Sequence, residues 1–375
     1  MIILLALSLG LFAKVPATSL VNDKIQFEDD LDFKNMVKAI DRHLVYFNNR
    51  KYMHVKFKLA GTEYKREDLK SSLVEFKKLV NKALACTKVL DKSECMLSFS
   101  DSINEKFSIY KPIPNKDELG FDKNMSRFTA YYSPSLKGSK VKTDIYKNPI
   151  YKKPLKSAHQ NYTREQIEFE AKLANKGLEL FYVKESLLDI WLLHVEGGGL
   201  IEEEVAGEAP KLHYLSYNGT NKRKFSMLSR YMLDNGMLTE DNRSVRAQRE
   251  YIESNPEQER EIISSCQSYV YFKTTKSEPL GVRNIPLTMN RSLASDKDLF
   301  NEYGFISFIQ IKKDDSVEKS SPDLNVNRFF INQDTGGSIN GAARGDLYMG
   351  YGDDAKFYAN NLHALGNQYL IILKK

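Results

Sequence analysis

Apolar residues recur at helical spacing through the first third of the chain. Phe33, Met36, Val37, Ile40, Leu44 and Phe47 form one stripe, and Leu73, Val74, Phe76, Leu79, Val80 and Ala83 form a second; a three-to-four-residue period puts side chains on one helix face. The N-terminal third is therefore predicted to be largely helical. From Phe128 the texture changes to short runs of tyrosine and other β-formers broken by Pro134, Gly138, Pro149 and Pro154. That pattern reads as strands and turns, and a domain boundary is placed near residue 133. Thr163-Arg-Glu-Gln166 has the form of a capping box and predicts a helix ending about Gly177. Leu180 to Val195 reads as buried strand with a short helical interruption. Further helices are predicted over Phe225 to Asn235, stopped by Gly236, around Val245 to Glu253, and from Asn255, where Pro256 takes the favoured first helical position. Tyr269 to Phe272, Phe305 to Ile311 and Phe329 to Ile331 read as strands. A helix from Ala355 to Ala364, capped by Asp353 or Asp354, then precedes a last strand, Gln368 to Leu373. Lys312 to Pro322, polar and charged, is predicted to be a hairpin loop.

With 375 residues the chain has room for two or three domains, and 42% hydrophobic with 28% charged residues excludes bulk disorder. The formal charge of +6 is too small to indicate a nucleic-acid partner, and no RNP, zinc-finger or Walker sequence is present. The histidines stand isolated, and Cys86, Cys95 and Cys266 lack C-x-x-C spacing, which leaves a zinc site without support. Chemistry is expected to rest on carboxylates, with no metal or organic cofactor. The apolar run Met1 to Ala13 suits the core of a secretory signal with a small-residue cleavage site at Val15-Pro16-Ala17. The usual basic n-region is missing, so the amino terminus supplies that charge or translation begins earlier. In an oxidising compartment Cys86 and Cys95 can pair across a short loop, leaving Cys266 odd; three buried thiols are the alternative.

The segment from Asn332 to Gly352 contains six glycines and two aspartates after an apolar strand, with Asp334 and Asp346 twelve positions apart. The chain can turn between them and bring both carboxylates to one rim, because glycine permits positive φ or close backbone approach. Equally, the glycines can simply shape turns while the aspartates cap exposed amides. Asp334-Thr335-Gly336 also matches the start of the aspartic-protease motif, but Gly337 breaks the match and no second copy exists.

Gln333-Asp-Thr-Gly-Gly-Ser-Ile-Asn-Gly, followed by Arg344-Gly-Asp-Leu-Tyr-Met-Gly, resembles the three-aspartate segment of the membrane-bound lytic transglycosylase A family, and Asp296 in Pro286-Leu-Thr-Met-Asn-Arg-Ser-Leu-Ala-Ser-Asp296 matches its remaining aspartate. Phe128-Thr-Ala-Tyr-Tyr-Ser-Pro, Asn148-Pro-Ile-Tyr-Lys-Lys-Pro154 and Ser216-Tyr-Asn-Gly-Thr-Asn221 resemble the family's segments around its glycan cleft. The likeness runs from about residue 127 to 375. It implies an α+β chain, mainly β: a signal over residues 1–17, a double-psi β-barrel with N-terminal helices from residues 18–133 and 275–375, and an inserted β-barrel over residues 134–274, with a glycan cleft between the barrels.

The resemblance further implies a peptidoglycan lytic exotransglycosylase that cuts the β-1,4 bond between N-acetylmuramic acid and N-acetylglucosamine and leaves a 1,6-anhydromuramoyl end. Asp346 carries over as the single acid/base, protonating the leaving oxygen and then accepting the proton of the muramoyl 6-hydroxyl. Asp334 and Asp296 take supporting roles. Thr129, Tyr131, Tyr132, Glu196, Gly198, Tyr217, Gly336 and Gly337 are candidate substrate contacts. The family's Val-Gln-Gly-Ser-Gly reads here Val195-Glu-Gly-Gly-Gly199, Thr220 replaces the lysine of its Ser-Tyr-Ala-Gly-Lys-Asn, and Lys222-Arg223 replaces its glycine-rich continuation. The lipid-anchoring cysteine that often follows the signal is absent, the first cysteine being Cys86, which argues against lipid attachment; a periplasmic or secreted location is expected, with outer-membrane association left open, and the chain is expected to be a monomer. Its partner is the peptidoglycan glycan strand, and no segment specifies a cell-wall enzyme complex. Two rivals stay open: an inverting hydrolase in which Asp334 or Glu196 activates water, and a wall-binding protein without turnover.

Overall fold

A computed structural model describes residues 17–48, 55–204, 209–276, 278–300, 302–312, 325–337 and 339–375. The leader expected over residues 1–17 lies outside the described residues except for Ala17, as does all but Lys312 of the expected 312–322 loop. In chain order the elements are β1 (Thr18–Leu20), α1 (Met36–Phe47), β2 (Lys56–Leu59), β3 (Thr62–Lys65), α2 (Arg66–Cys86), α3 (Lys92–Lys106), β4 (Phe107–Pro112), β5 (Ser126–Tyr131), β6 (Ser135–Ser139), β7 (Asn148–Tyr151), α4 (Ser157–Gln160), α5 (Arg164–Glu168), β8 (Glu179–Val183) and α6 (Leu187–Glu196). There follow β9 (Gly198–Glu203), β10 (Lys211–Thr220), α7 (Leu228–Asp234), α8 (Val245–Ser254), α9 (Glu259–Ser264), β11 (Val270–Thr275), β12 (Ser292–Ser295), β13 (Ile306–Ile311), β14 (Val326–Thr335), β15 (Arg344–Tyr348), α10 (Asp353–Asn361) and β16 (His363–Leu373). The chain divides into two compact units, one made of residues up to Tyr132 with Leu280–Lys375, the other of Ser133–Pro279. No helix among the described residues is long and apolar enough to cross a membrane.

The first unit holds an eight-stranded sheet in the order β1-β4-β16-β13-β14-β12-β15-β5, and β16 pairs with β5 as well. That second pairing closes six strands into a barrel, with two parallel pairs, β12–β14 and β15–β5. The long strand β16 is the seam: His363–Gly366 pair with β5, Asn367–Ile371 with β13 and Leu370–Leu373 with β4. The stripes of α1 and α2 turn inward, burying Met36, Ile40, Leu73, Phe76 and Val80 against Phe308, Phe329 and Ile371. Arg291 and Asp29 are fully buried and bonded through two guanidinium nitrogens, at 2.6 and 2.8 Å. Arg291 also donates to the carbonyls of Lys34 and Phe329, while Asp29 accepts from the amides of Leu31 and Phe33. This pair fastens the segment before α1 to the strands that carry the site.

Cys86 and Cys95 form a disulfide that ties the end of α2 to the start of α3, and Cys266 is a buried free thiol. Closing a loop of this length restricts the unfolded chain by about 2.5–3 kcal/mol. Cys86→Ser is expected to lower unfolding free energy by that amount in a urea titration, and reductant should do the same to the parent protein but not to the variant.

The second unit is built on a six-stranded sheet in the order β11-β10-β9-β6-β8-β7. A parallel bridge between Lys152 and Phe272 joins its two ends and curls it into a barrel. Its lumen is filled by Leu136, Ile150, Phe181, Val183, Leu215 and Phe272. Local signals misjudged several elements here and near the C-terminus. Thr163 caps α5 as its sequence predicts, but the helix ends at Glu168, because Ala171 and Asn175 take left-handed backbone and break it. The stretch read as interrupted strand contains the ten-residue α6, started by Ser186 and ended by Gly197 at φ 68°. Its Leu188, Ile190, Trp191, Leu193 and His194 are all buried, which erases the amphipathic period. Gly352, not an aspartate, occupies the N-cap of α10; Asp353 and Asp354 sit in its first turn.

Candidate active site

Register brings three candidate residues of the first unit, Asp334, Asp346 and Thr129, into one row. Ala294 of β12 lies opposite Asp334 of β14 on one side and Asp346 of β15 on the other, and Asp346 lies opposite Thr129 of β5. Residues directly opposite one another project from the same face of a sheet, and adjacent strands are about 4.8 Å apart. The two carboxylates therefore rise from backbones about 10 Å apart, with only the methyl group of Ala294 between them.

Each carboxylate has its own partners. Thr129 Oγ1 donates to Asp346 Oδ1 at 2.5 Å and receives a bond from Arg344 Nη2 at 2.7 Å. Tyr131 donates its phenol to Asp334 Oδ2 at 2.8 Å, and the Thr335 amide donates to Asp334 Oδ1 at 2.9 Å. Strand alternation places Arg344, Asp346 and Tyr348 on one face of β15, opposite Arg127, Thr129 and Tyr131 of β5; the rings of Tyr131 and Tyr348 lie 5.1 Å apart. Gly345 makes the close spacing possible, since a Cβ there would lie 3.0 Å from both Leu293 and Phe128.

Asp296 is not in this row. It is buried, and among the described residues its side chain accepts from the backbone amides of Asp298 at 2.7 Å, Leu299 at 3.3 Å and Gly341 at 2.7 Å. It therefore joins the end of β12 to the loop between β14 and β15. Gly341 has φ 106°, and a Cβ there would collide with the Glu118 carboxylate. Gly337 is open, with nothing near the position of a Cβ, while Gly336 packs on Ile339. Tyr132 turns away from the carboxylates and packs against the barrel core.

Burial is the main influence on both acids. It pushes the Asp346 carboxyl above the ordinary aspartate value, against the opposing pull of Thr129 and Arg344. It pushes Asp334 up to about 6, with a further contribution from the Asp346 charge, while the Tyr131 hydroxyl and the Thr335 amide oppose it. The Tyr131 phenol is itself held well above its usual value, by burial and then by Asp334, so it remains a donor. The sign for stability follows. Asp334 binds its proton more tightly folded than unfolded, so stability falls as pH rises from about 4 to about 6, by up to about 3 kcal/mol for two pKa units. Asp334→Asn, which keeps a carbonyl acceptor, is expected to flatten this part of a stability–pH curve; an unchanged slope would refute the assignment.

In the second unit Gly198 opens β9 and pairs with Ser216 of β10, which sets the exposed Tyr217 beside it. A Cβ on Gly198 would meet the Leu215 carbonyl at 2.9 Å. Glu196, exposed, ends α6 two residues earlier. The candidates thus fall into two groups: Thr129, Tyr131, Asp296, Asp334, Gly336, Gly337 and Asp346 in the first unit, and Glu196, Gly198 and Tyr217 in the second. Sequence reading quoted Arg344 within its motif but gave it no role. Its two-residue spacing from Asp346 on a strand was the available signal.

Comparison with known proteins agrees with this geometry. The MltA specific insert domain matches residues 127–273, and the 3D domain matches residues 291–370. Membrane-bound lytic murein transglycosylase A of Vibrio cholerae is 27% identical over 250 residues, 66% of this chain; the chain spans 65% of that relative's length. Among solved structures, Escherichia coli MltA with bound chitohexaose aligns over 97% of both chains with a TM-score of 0.65 at 19% identity. The membrane-bound lytic murein transglycosylase of Agrobacterium tumefaciens aligns over 95% of this chain and 98% of its own, with a TM-score of 0.64 at 20% identity. These likenesses agree with the inserted barrel and the closed six-stranded barrel, and the two domain models and the curated relatives together support the MltA family.

Proposed function

We propose that this protein is a lytic transglycosylase that cleaves the β-1,4 bond between N-acetylmuramic acid and N-acetylglucosamine in peptidoglycan and closes a 1,6-anhydro ring on the muramoyl product. The observation that carries this reading is Asp346: a carboxyl group with a raised pKa, bonded by one hydroxyl and facing the small residue Ala294. As an acid it protonates the glycosidic oxygen while the C1–O bond breaks. As the resulting carboxylate it takes the proton of the 6-hydroxyl while O6 bonds to C1. The proton count returns to its start, and no water is consumed.

Thr129 fixes the orientation of the Asp346 carboxyl, and Arg344, through Thr129, stabilises its ionised form once the first proton has left. Asp334, held by Tyr131, lends polarity to the neighbouring strand, and Asp296 positions the loop through Gly341. Tyr217 offers an exposed ring face to the C–H side of a sugar, and the open backbone at Gly337 leaves room for saccharide oxygens. The Cys86–Cys95 disulfide supports a periplasmic or secreted location.

Asp334, two strands away and with its own raised pKa, is the group that an inverting hydrolase would use to activate water. Mass spectrometry of the soluble products from purified peptidoglycan separates the readings. Muropeptides one water lighter than hydrolysis products are expected. Reducing-end products would replace the proposal with the hydrolase, and wall binding without release would replace it with a binding protein.

A further inference from the structure

Two segments of the inserted unit carry five cations and no acid: residues 153–162, with Lys153 and Lys156, and residues 217–224, with Lys222, Arg223 and Lys224. They are distant in sequence but stitched together in space. Arg223 donates through Nε and Nη2 to the Asn161 carbonyl at 3.0 and 2.8 Å, and Asn221 Nδ2 donates to the Tyr162 carbonyl at 2.8 Å. Lys153 lies across Gly219, where a Cβ would come within 3.1 Å of its ammonium nitrogen. Gly219 has φ 115° and sits in the irregular end of β10 that begins at Tyr217. The basic segments therefore continue directly from the candidate sugar-binding tyrosine.

Lys156, Lys222, Arg223 and Lys224 are exposed, and among the described residues no carboxylate pairs with any of the five cations. Their charge is left for an external partner. Leu155 stands between Lys153 and Lys156 with 97% of its area in water, and Phe225 follows Lys224 at 49%. Cations with exposed apolar side chains beside them suit a short acidic peptide better than a bare anionic sugar.

We propose that this rim receives the acidic peptide stems attached to the glycan, so that the protein selects stem-bearing strands over stripped ones. The inference rests on the peptidoglycan reading and names the substrate class more narrowly. Rim charges are worth little singly, but several together give an attraction that salt screens.

The test is a calorimetric titration of the intact Asp346→Asn protein, which does not consume its ligand, with soluble, uncross-linked peptidoglycan strands before and after amidase removal of the stems. Stripping leaves the lactyl carboxylate, so the difference isolates the peptide. Binding to stem-bearing material is expected to exceed binding to stripped material, and to weaken about tenfold between about 50 mM and about 500 mM NaCl. Adding Lys156→Glu, Lys222→Glu and Lys224→Glu should collapse the ratio of the two affinities toward one; the glutamine versions should lie between, and a melting curve checks folding. A ratio near one in the Asp346→Asn protein, or a ratio that survives the charge reversal, overturns the proposal. Salt-sensitive binding indifferent to the stems also overturns it and points to another anionic wall polymer. The product assay described above fails or succeeds separately, so the loss of one conclusion is not mistaken for the loss of the other.

Discussion

Asp346→Asn is expected to lower glycan cleavage by about 10³–10⁴-fold, the upper part of the range for one acid–base group, because in the proposed mechanism the same carboxyl serves both halves of the reaction. Asparagine keeps a carbonyl oxygen for the Thr129 hydroxyl, which approaches at 2.5 Å, so the strand row and the fold should persist. The variant should therefore melt close to the parent, bind peptidoglycan and release no anhydro products. The parent's rate should fall as pH rises through the elevated Asp346 pKa, since burial holds the acid in its protonated form over a wider range than a solvent-exposed aspartate allows. A variant with parental activity would remove Asp346 from the mechanism.

Asp29→Asn is expected to cost about 3–5 kcal/mol of stability, the usual consequence of stranding one buried charge. Arg291 would keep its carbonyl partners but lose its bonded carboxylate partner, Asp29, with both side chains fully out of water. Urea unfolding measures the effect. Asp29→Leu combined with Arg291→Met should be less damaging than Asp29→Asn alone, because no charge is then left buried. Equal losses in the two proteins would show that the backbone bonds of these residues matter more than their charges. Arg291 immediately precedes β12, and the same change is expected to loosen the strand that holds Ala294 between the two carboxylates.

Helices α1 and α2 were legible because their stripes report a local period and face one core, whereas the fifteen-residue α3 was not singled out. The two barrels' strands were found piecemeal, and β16 was read as six residues where it has eleven. Its first residues, His363–Gly366, are strand because β5 pairs with them from more than 200 positions away, which no local window registers. The glycine-rich segment and its aspartates were conspicuous in sequence. The row Asp334–Ala294–Asp346–Thr129 was not, since it is a property of strand register. Arg344 escaped for a related reason: its link to Asp346 runs through a hydroxyl on another strand. The glycines of the insert were read for conformation alone, whereas Gly219 makes room for a lysine from another segment.

The seam formed by β16 also has a temporal meaning. Thr129 reaches its carboxylate partner 217 positions later in the chain, and β5 is flanked on its two edges by β15 and β16, both near the carboxyl end. Contacts across so long an intervening segment form slowly, after local structure. A polypeptide synthesised amino end first can fold its N-terminal helices early, but the row of Asp334, Ala294, Asp346 and Thr129 is incomplete until its closing strands arrive. Synthesis thus acts as a clock on this row: an unfinished chain has Thr129 and Tyr131 without the two acids they hold.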